Sequence, residues 1–197
     1  MHELTRYFKN IMWIFGYGSL MWKVDFPYRR KVVGYIKGFV RRFWQGSEDH
    51  RGIPGKPGRV VTLVPSYKPD ACVWGVAYEI ASSDIESVRA HLDDREKEGY
   101  EKINVTFYPK DEEINPIELT IYVGYQDNPY FLGPAPVETI ALQIYDAEGC
   151  SGKNIEYLLN LAEVMRVLIP HVYDEHLFGL EYEVKKLIRI NELDNIC

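Results

Sequence analysis

The hydrophobic residues of this chain fall into short blocks that glycine, proline and polar residues interrupt. Several blocks are rich in β-branched and aromatic side chains and have turn residues at both ends, which is typical of β-strands. One long block contains Gly34 and Gly38, and a bulge at either glycine would bend it. The pattern predicts strands over 13–18, 31–44, 59–64, 72–80, 103–108 and 117–125.

Four other segments place apolar residues three and four positions apart, which is the spacing of an amphipathic helix. The first follows the capping box Ser83-x-x-Glu86 and runs to about Lys97. The other predicted helices cover 137–146, 154–169 and 175–189. A block of strands with helices mainly at the end indicates an α+β fold with a mostly antiparallel, curled sheet.

The same pattern predicts a single domain over residues 12–197, preceded by an extension over residues 1–11. These first eleven residues are polar and unpatterned, as is typical of a segment outside the core. Residues 45–58 contain four glycines and two prolines, a density that predicts a long loop. Long loops in compact domains are usually functional, so this one is a candidate part of a site.

Composition narrows the classes of partner. The chain is 46% hydrophobic and 14% aromatic, which argues for a compact globule and against disorder. Its 23 basic and 29 acidic side chains give a net charge of −6, which disfavours nucleic acid as a partner. The apolar runs are too short to span a bilayer, so no membrane partner is expected. The sequence leaves the oligomeric state open between a monomer and a weak dimer.

The cysteines and histidines indicate a reduced protein without a metal site. The three cysteines are widely spaced and form no C-x-x-C pair, as expected for a cytosolic protein. The five histidines lack the spacing of a metal-binding motif. Cys150 has no base nearby in the sequence and is interpreted as a loop residue, and His176 is expected to satisfy or cap a helix.

The segment 14–19 (IFGYGS) carries the strongest chemical signal. An apolar strand runs into two glycines and a serine, and Gly16 and Gly18 can adopt positive φ or let a ligand approach the backbone. Consecutive backbone N–H groups at such a strand end can form a nest for a carboxylate or an oxyanion. A tight turn after a buried strand is the alternative interpretation.

Glu96 lies on the apolar face of the first predicted helix. Ile85, Val88 and Leu92 form the buried stripe of this helix, and Glu96 follows Leu92 by four residues. Asp93 falls on another face, where it can be solvated. A buried carboxylate has a raised pKa and can act as a general base near neutral pH. The alternatives are a helix end that frays into water and an internal ion pair with an arginine.

Taken together, several motifs resemble the ChaC-type γ-glutamylcyclotransferases, in the order of that family. They are 13–22 (WIFGYGSLMW), 41–47 (RRFWQGS), 50–52 (HRG), 54–59 (PGKPGR), 73–78 (VWGVAY), 95–97 (REK), 127–129 (DNP), 132–136 (LGPAP) and 174–177 (DEHL). These matches extend from residue 12 to about residue 186 and are most similar to the ChaC2-like branch.

The resemblance implies a γ-glutamylcyclotransferase-like fold, a small curled barrel flanked by helices, that binds no metal and no organic cofactor. It implies an enzyme of glutathione catabolism that cleaves glutathione to 5-oxoproline and cysteinylglycine. Residue by residue, Ile14, Phe15, Gly16, Tyr17, Gly18 and Ser19 match the substrate-binding loop. Glu96 matches the catalytic carboxylate.

Two positions depart from the family pattern. Glu98 stands where the family often has glycine, and Phe131 stands where it tends to have tyrosine, with Tyr130 one residue earlier. Two other functions remain open: a cyclotransferase for other γ-glutamyl amides or amino acids, and a non-catalytic γ-glutamyl-binding module. Residues 41–59 carry five cations against two anions, a basic segment that is a candidate for attracting an anionic substrate.

Overall fold

The computed structural model describes residues 11–95, 100–124 and 127–194 of the chain. These residues form two compact units, one within Met1–Val40 and Pro65–Val123 and the other within Arg41–Val64 and Gly124–Cys197. Of the predicted N-terminal extension, only the exposed Ile11 lies among the described residues. One catalytic domain over 12–197 stays a prediction.

A closed five-stranded barrel forms the centre of the first unit. Its strands are β1 (Met12–Gly16), β2 (Arg30–Lys37), β5 (Cys72–Ile80), β6 (Tyr100–Pro109) and β7 (Ile117–Gly124). Their order around the barrel is β1, β5, β2, β6 and β7. The β1–β5, β5–β2 and β2–β6 pairs are antiparallel, and a parallel β1–β7 contact opposes Ile14 to Thr120. The predicted α+β class and the mostly antiparallel barrel are confirmed.

The predicted long strand over 31–44 is two strands. β2 ends at Lys37, and β3 (Phe39–Ser47) pairs with β4 (Gly58–Pro65) in a separate two-stranded sheet. Gly38 separates them with a φ of 83°, a conformation that residues with a Cβ rarely adopt. The chain therefore breaks at one of the two predicted glycines, but it changes sheet there instead of forming a bulge.

Helix α1 (Ile85–Arg95) belongs to the first unit and begins later than the capping box predicts. The Ser83 hydroxyl donates to the Asp84 carboxylate, and the Val88 N–H donates to the Asp84 carbonyl in the first helical turn. Asp84, not Ser83, is therefore the residue that precedes the helix. Val88 and Leu92 are buried as predicted.

The second unit contains the remaining helices. They are α2 (Val137–Asp146), α3 (Asn154–Leu168) and α4 (Glu175–Asp194), and a short ladder of β8 (Glu148–Gly149) and β9 (Gly152–Lys153) lies between α2 and α3. Helix α4 packs against α2 and α3. The buried Asn154 holds the start of α3 to β4, because its side-chain amide accepts from the N–H of Arg59 and donates to the Arg59 carbonyl.

The DEHL motif at 174–177 has a structural role in the second unit. Asp174 accepts from the N–H of Leu177 at the start of α4 and forms an ion pair with the buried Arg41. His176 Nε2 accepts from the Phe43 N–H at 3.0 Å, and Leu177 is fully buried. The expectation that His176 satisfies or caps a helix is met only in part, because its ring accepts a hydrogen bond from strand β3 and not from a helix.

The lowered pKa of the buried His176 imidazole predicts that the stability of the protein depends on pH. Burial first and the nearby Arg42 second lower its pKa from 6.5 to about 4. The unfolded chain therefore binds a proton at higher pH than the folded chain does. The free energy of unfolding should fall by up to about 3 kcal/mol as the pH drops from 6.5 to 4.

The variant His176→Gln isolates this effect, because glutamine keeps an acceptor for the Phe43 N–H but does not titrate. Urea unfolding of both proteins at pH 7, 6, 5 and 4 measures the difference in stability. We expect the wild type to lose more stability than the variant over this range. If the difference in free energy of unfolding between the two proteins stayed the same at every pH, His176 would not have the lowered pKa described above.

Candidate functional site

The glycine-rich loop follows strand β1 directly. Strand β1 ends at Gly16, and Ser19–Met21 form a short 3-10 turn. Neither glycine has positive φ: Gly18 lies at −123°, and Gly16 is extended in the strand. A Cβ on Gly16 would lie 2.6 Å from Leu20 Cβ, so glycine is required there because the turn folds back onto the strand. The expectation of positive φ was wrong, and the expectation that a ligand approaches this bare backbone stays a prediction.

Burial divides the six residues of the predicted substrate-binding loop. The side chains of Ile14, Phe15 and Tyr17 are buried in the first unit, and Gly16 is buried as well. Gly18 and Ser19 are partly exposed. Any contact of this loop with a ligand therefore falls to Gly18 and Ser19 or to backbone atoms.

Two tyrosines hold the loop at both ends. The buried Tyr17 hydroxyl donates to the Tyr122 carbonyl at 2.6 Å, and the buried Tyr78 hydroxyl donates to the Leu20 carbonyl at 2.7 Å. Burial raises the pKa of Tyr78, so its hydroxyl remains a donor at neutral pH. Both bonds link the loop to barrel strands, which fixes the position of its backbone.

The backbone N–H groups after the loop are partly used by the turn itself. The N–H of Met21 donates to the Gly18 carbonyl, and those of Trp22 and Lys23 donate to the Ser19 carbonyl. The predicted anion nest is therefore confined to N–H groups that precede Met21. The nest itself stays a prediction.

A polar network connects the loop to helix α1. The Tyr122 hydroxyl donates to Asp93 Oδ1 at 3.0 Å, and Lys102 Nζ lies 2.6 Å from the same carboxylate oxygen. The hydrogen bonds from Lys102 and Tyr122 lower the pKa of Asp93 although the group is exposed. Through Tyr122, whose carbonyl accepts from Tyr17, the glycine-rich loop and the last turns of α1 share one network.

The sequence interpretation missed this network. It placed Asp93 on a solvated face, and the carboxylate is indeed partly exposed, but it is also paired. Tyr122 and Lys102 carried no signal in the sequence, because only the packing of strands β6 and β7 against helix α1 brings them to Asp93. No spacing along the chain would have found them.

Glu96 and Glu98 lie outside the described residues. Helix α1 is described as far as Arg95, and its predicted stripe is buried at Val88 and Leu92 and half-buried at Ile85. The catalytic role of Glu96 therefore stays a prediction.

The other departure from the family pattern lies within the second unit. The ring of Phe131 packs edge-on against Trp44, with ring centroids 6.2 Å apart, and the Tyr130 carbonyl accepts from the Gly46 N–H. Phe131 thus has a packing role beside β3.

The basic segment 41–59 is mostly engaged in contacts inside the second unit. Arg41 is buried against Asp174, and Arg59 is buried and donates to the carbonyls of Phe43 and Gly133. Arg51 contacts Glu156, whereas Lys56 is exposed. Three of the five cations, Arg41, Arg51 and Arg59, are thus engaged in contacts within the second unit, which weakens the interpretation of the segment as a steering surface for an anionic substrate.

Among the described residues, no helix is long and apolar enough to cross a lipid bilayer.

One group of side chains in the second unit has the composition of a metal site: Asp49, His50 and Cys150. The expected loop position of Cys150 is confirmed, because this residue lies in the turn between β8 and β9.

Comparisons with known proteins place the chain in a family. A family profile described as "ChaC-like protein" matches residues 12–187. A zebrafish protein named glutathione-specific gamma-glutamylcyclotransferase 1 is 50% identical over 92% of both chains. A fission yeast glutathione-specific gamma-glutamylcyclotransferase is 39% identical over 89% of this chain and 93% of its own.

A solved structure agrees with these relatives. The crystal structure of a γ-glutamyl cyclotransferase specific to glutathione from yeast superposes with a TM-score of 0.83 at 30% identity. The match covers 90% of this chain and 97% of that one. The assignment to the ChaC2-like branch stays a prediction, since the zebrafish relative carries the number 1. The chain belongs to the ChaC-like protein family.

Proposed function

We propose that this protein is a glutathione-specific γ-glutamylcyclotransferase acting in glutathione catabolism. The observation that carries the proposal is the 50% identity, over 92% of both chains, to a relative named for this activity. The glycine-rich loop supports it further, since two buried tyrosine hydrogen bonds hold that loop against the barrel. We also propose that residues 12–197 act as one catalytic domain.

The reaction needs no nucleophilic side chain. The α-amine of the γ-glutamyl group attacks its own γ-carbonyl carbon, and the bond from that carbon to the cysteine nitrogen breaks. The products are 5-oxoproline and cysteinylglycine, with no water consumed. Holding an amine and a carbonyl of one molecule in an attacking geometry is worth about 7–11 kcal/mol.

The reaction does need a side chain that transfers protons. The α-amine is mostly protonated at neutral pH and must lose a proton before it attacks. In the proposal Glu96 accepts this proton and returns one to the leaving cysteinylglycine nitrogen. General acid–base catalysis of this kind contributes a factor of about 10² to 10⁴ in rate.

The loop 14–19 is proposed to bind the negative charge. The partial exposure of Gly18 and Ser19 supports a contact through backbone N–H groups and the Ser19 hydroxyl. Ile14, Phe15, Gly16 and Tyr17 would act by holding this backbone in place, since their side chains or Cα atoms are buried. Ser19 is thus a binding hydroxyl and not a nucleophile.

The direct test is turnover of glutathione by the purified protein. We expect equal amounts of 5-oxoproline and cysteinylglycine, with the same rate before and after treatment with a metal chelator. A panel of other γ-glutamyl amino acids, compared by kcat/KM, separates strict glutathione specificity from a broader cyclotransferase. Tight binding of γ-glutamyl compounds without any 5-oxoproline would instead indicate a non-catalytic module.

We further propose a cytosolic location. Its support is the odd number of cysteines and the presence of Cys72 and Cys150 as free thiols, a pattern typical of reducing compartments. Burial raises the pKa of Cys72, which keeps this thiol protonated and unreactive. Cell fractionation with an antibody to the native chain tests the location.

The Asp93 network leads to a prediction about catalysis. Tyr122→Phe removes the hydroxyl that bonds to Asp93, three residues before Glu96, but keeps the carbonyl that accepts from Tyr17. We expect kcat for glutathione to fall about tenfold, with KM changed about twofold or less, because the end of α1 is less well positioned. Tyr35→Phe, in the same barrel, is the control and should keep full activity. A folded Tyr122→Phe enzyme with normal kcat would show that the network does not position the base.

A further inference from the structure

Asp49, His50 and Cys150 come together on the surface of the second unit. Their ligand atoms (a carboxylate oxygen, a ring nitrogen and the thiol sulfur) all lie within 4.8 Å of one another. Cys150 Sγ is 3.2 Å from Asp49 Oδ1, to which it donates. All three residues are exposed. We refer to these three residues as the Asp49 cluster.

The backbone holds the two halves of the Asp49 cluster together. The Cys150 N–H donates to the Asp49 carbonyl at 3.0 Å, and the Ser151 N–H donates to the His50 carbonyl at 3.0 Å. A Cβ at Gly149 would overlap the Asp49 carbonyl oxygen, so glycine permits this close approach. The side chains of the cluster therefore start from backbone positions that are already fixed relative to one another.

The donor set matches the preferences of zinc. Thiolate, imidazole and carboxylate are the three side-chain ligands that Zn²⁺ binds, at about 2.0–2.3 Å each. A tetrahedral ion with such bond lengths separates its ligand atoms by about 3.4–3.6 Å. The cluster, with one pair at 3.2 Å and all pairs within 4.8 Å, reaches this geometry by side-chain adjustments of about 1 Å.

We propose that the Asp49 cluster is a binding site for a zinc-like divalent transition metal ion, with water as the fourth ligand. On binding, the thiol proton that now points to Asp49 leaves to solvent, and the sulfur coordinates as a thiolate. Ser151 Oγ, 3.1 Å from His50 Nδ1, helps to orient the imidazole ring. The nearest cation in the sequence, Arg51, is directed to the Lys153 carbonyl and to Glu156.

The bound ion would join two segments that are about a hundred residues apart in the chain. It would fix the loop after β3 to the turn between β8 and β9, both within the second unit. The spacing of histidines and cysteines in the sequence argues only against metal sites whose ligands are close together in the chain, and the Asp49 cluster is not of that kind. The proposal therefore departs from the expectation of no metal, and it does not depend on the proposed enzymatic activity.

Cobalt binding tests the proposal without reference to activity. The untagged full-length protein is reduced, transferred to thiol-free buffer and titrated with Co²⁺, which reports a thiolate ligand by a charge-transfer band in the near ultraviolet. We expect the band to saturate at one equivalent and Zn²⁺ to abolish it by displacement. Cys150→Ser should lose the band, whereas Cys72→Ser, the matched control, should keep it.

The other two ligands are tested by affinity. Asp49→Asn and His50→Ala should each weaken Zn²⁺ binding at least tenfold in calorimetry, because each variant removes one ligand of the ion. Zn²⁺ should also raise the Tm of the wild type and not that of Cys150→Ser. A cobalt band that is absent, or that Cys150→Ser retains, would overturn the proposal. So would a wild-type Zn²⁺ affinity weaker than about 1 mM.

Discussion

The variant Glu96→Gln should turn over glutathione about 10² to 10⁴ times more slowly than the wild type while remaining folded. The amide has nearly the same shape as the carboxylate but cannot accept the proton of the substrate α-amine. This loss of rate corresponds to about 3–5 kcal/mol of transition-state stabilisation. The measurement is 5-oxoproline formation at saturating glutathione, with thermal unfolding as the check on folding.

The same substitution at Glu98 is the matched control. Glu98→Gln makes the same change two positions along the chain, at a residue with no proposed role in proton transfer, and its rate should stay within about twofold of the wild type. Glu96→Asp should recover part of the activity, because the base is restored at a shorter reach. Near-normal turnover by a folded Glu96→Gln protein would remove Glu96 from the mechanism. It would leave the proposed reaction itself intact if the wild type still makes 5-oxoproline.

The largest loss of stability is expected at Asp174. Its carboxylate pairs with Arg41, whose side chain is only 1% exposed. Removing one partner of a buried pair leaves an uncompensated charge, and Asp174→Asn should therefore lower the free energy of unfolding by about 3 kcal/mol. Asparagine still caps α4, so Asp174→Ala should cost about 1 kcal/mol more. Urea unfolding at pH 7 measures both variants.

Two controls separate the buried pair from ordinary surface pairs. Glu156→Gln breaks the Arg51–Glu156 pair, in which the glutamate is 57% exposed, and should cost less than about 1 kcal/mol. Combining Arg41→Met with Asp174→Asn replaces the stranded charge with an apolar side chain and should restore part of the loss. If Asp174→Asn lowers the free energy of unfolding no more than Glu156→Gln does, the buried charge of Arg41 does not determine the stability contribution of Asp174.

Most of the secondary structure could be predicted from the sequence, because its signals are local. β5 and α2 have the predicted bounds, and α3 ends one residue before the predicted end. The apolar stripe of α1 is buried at Val88 and Leu92. Alternation and helical spacing report which side of an element faces a core, and neighbouring residues carry this information by themselves.

The candidate site was only partly predictable. The glycine-rich loop 14–19 was located correctly as the end of a barrel strand, but the reason for its glycine at 16 was wrong. The glycine is needed for contact with Leu20 and not for positive φ. A sequence shows that a glycine is present, but only the folded chain shows which atom would collide with a Cβ.

The DEHL motif shows the same division. Its match to the family could be recognised from the sequence, but the roles of its residues could not. Asp174 pairs with Arg41 and His176 accepts from Phe43, across 133 residues of chain in each case. The low pKa of His176 follows from this burial and from nearby arginines, and neither is visible in the sequence around it.

The sequence by itself determined most of the strands and helices of this protein, its family and the residues to test as base and substrate loop. Tertiary structure alone decided that Gly38 separates two sheets, that Tyr17 and Tyr78 hold the loop, and that Asp49, His50 and Cys150 meet. The physical reason is the separation along the chain between the residues that interact. Periodicity arises from neighbours a few residues apart, whereas these contacts depend on strand register and barrel closure between residues tens to more than a hundred positions apart.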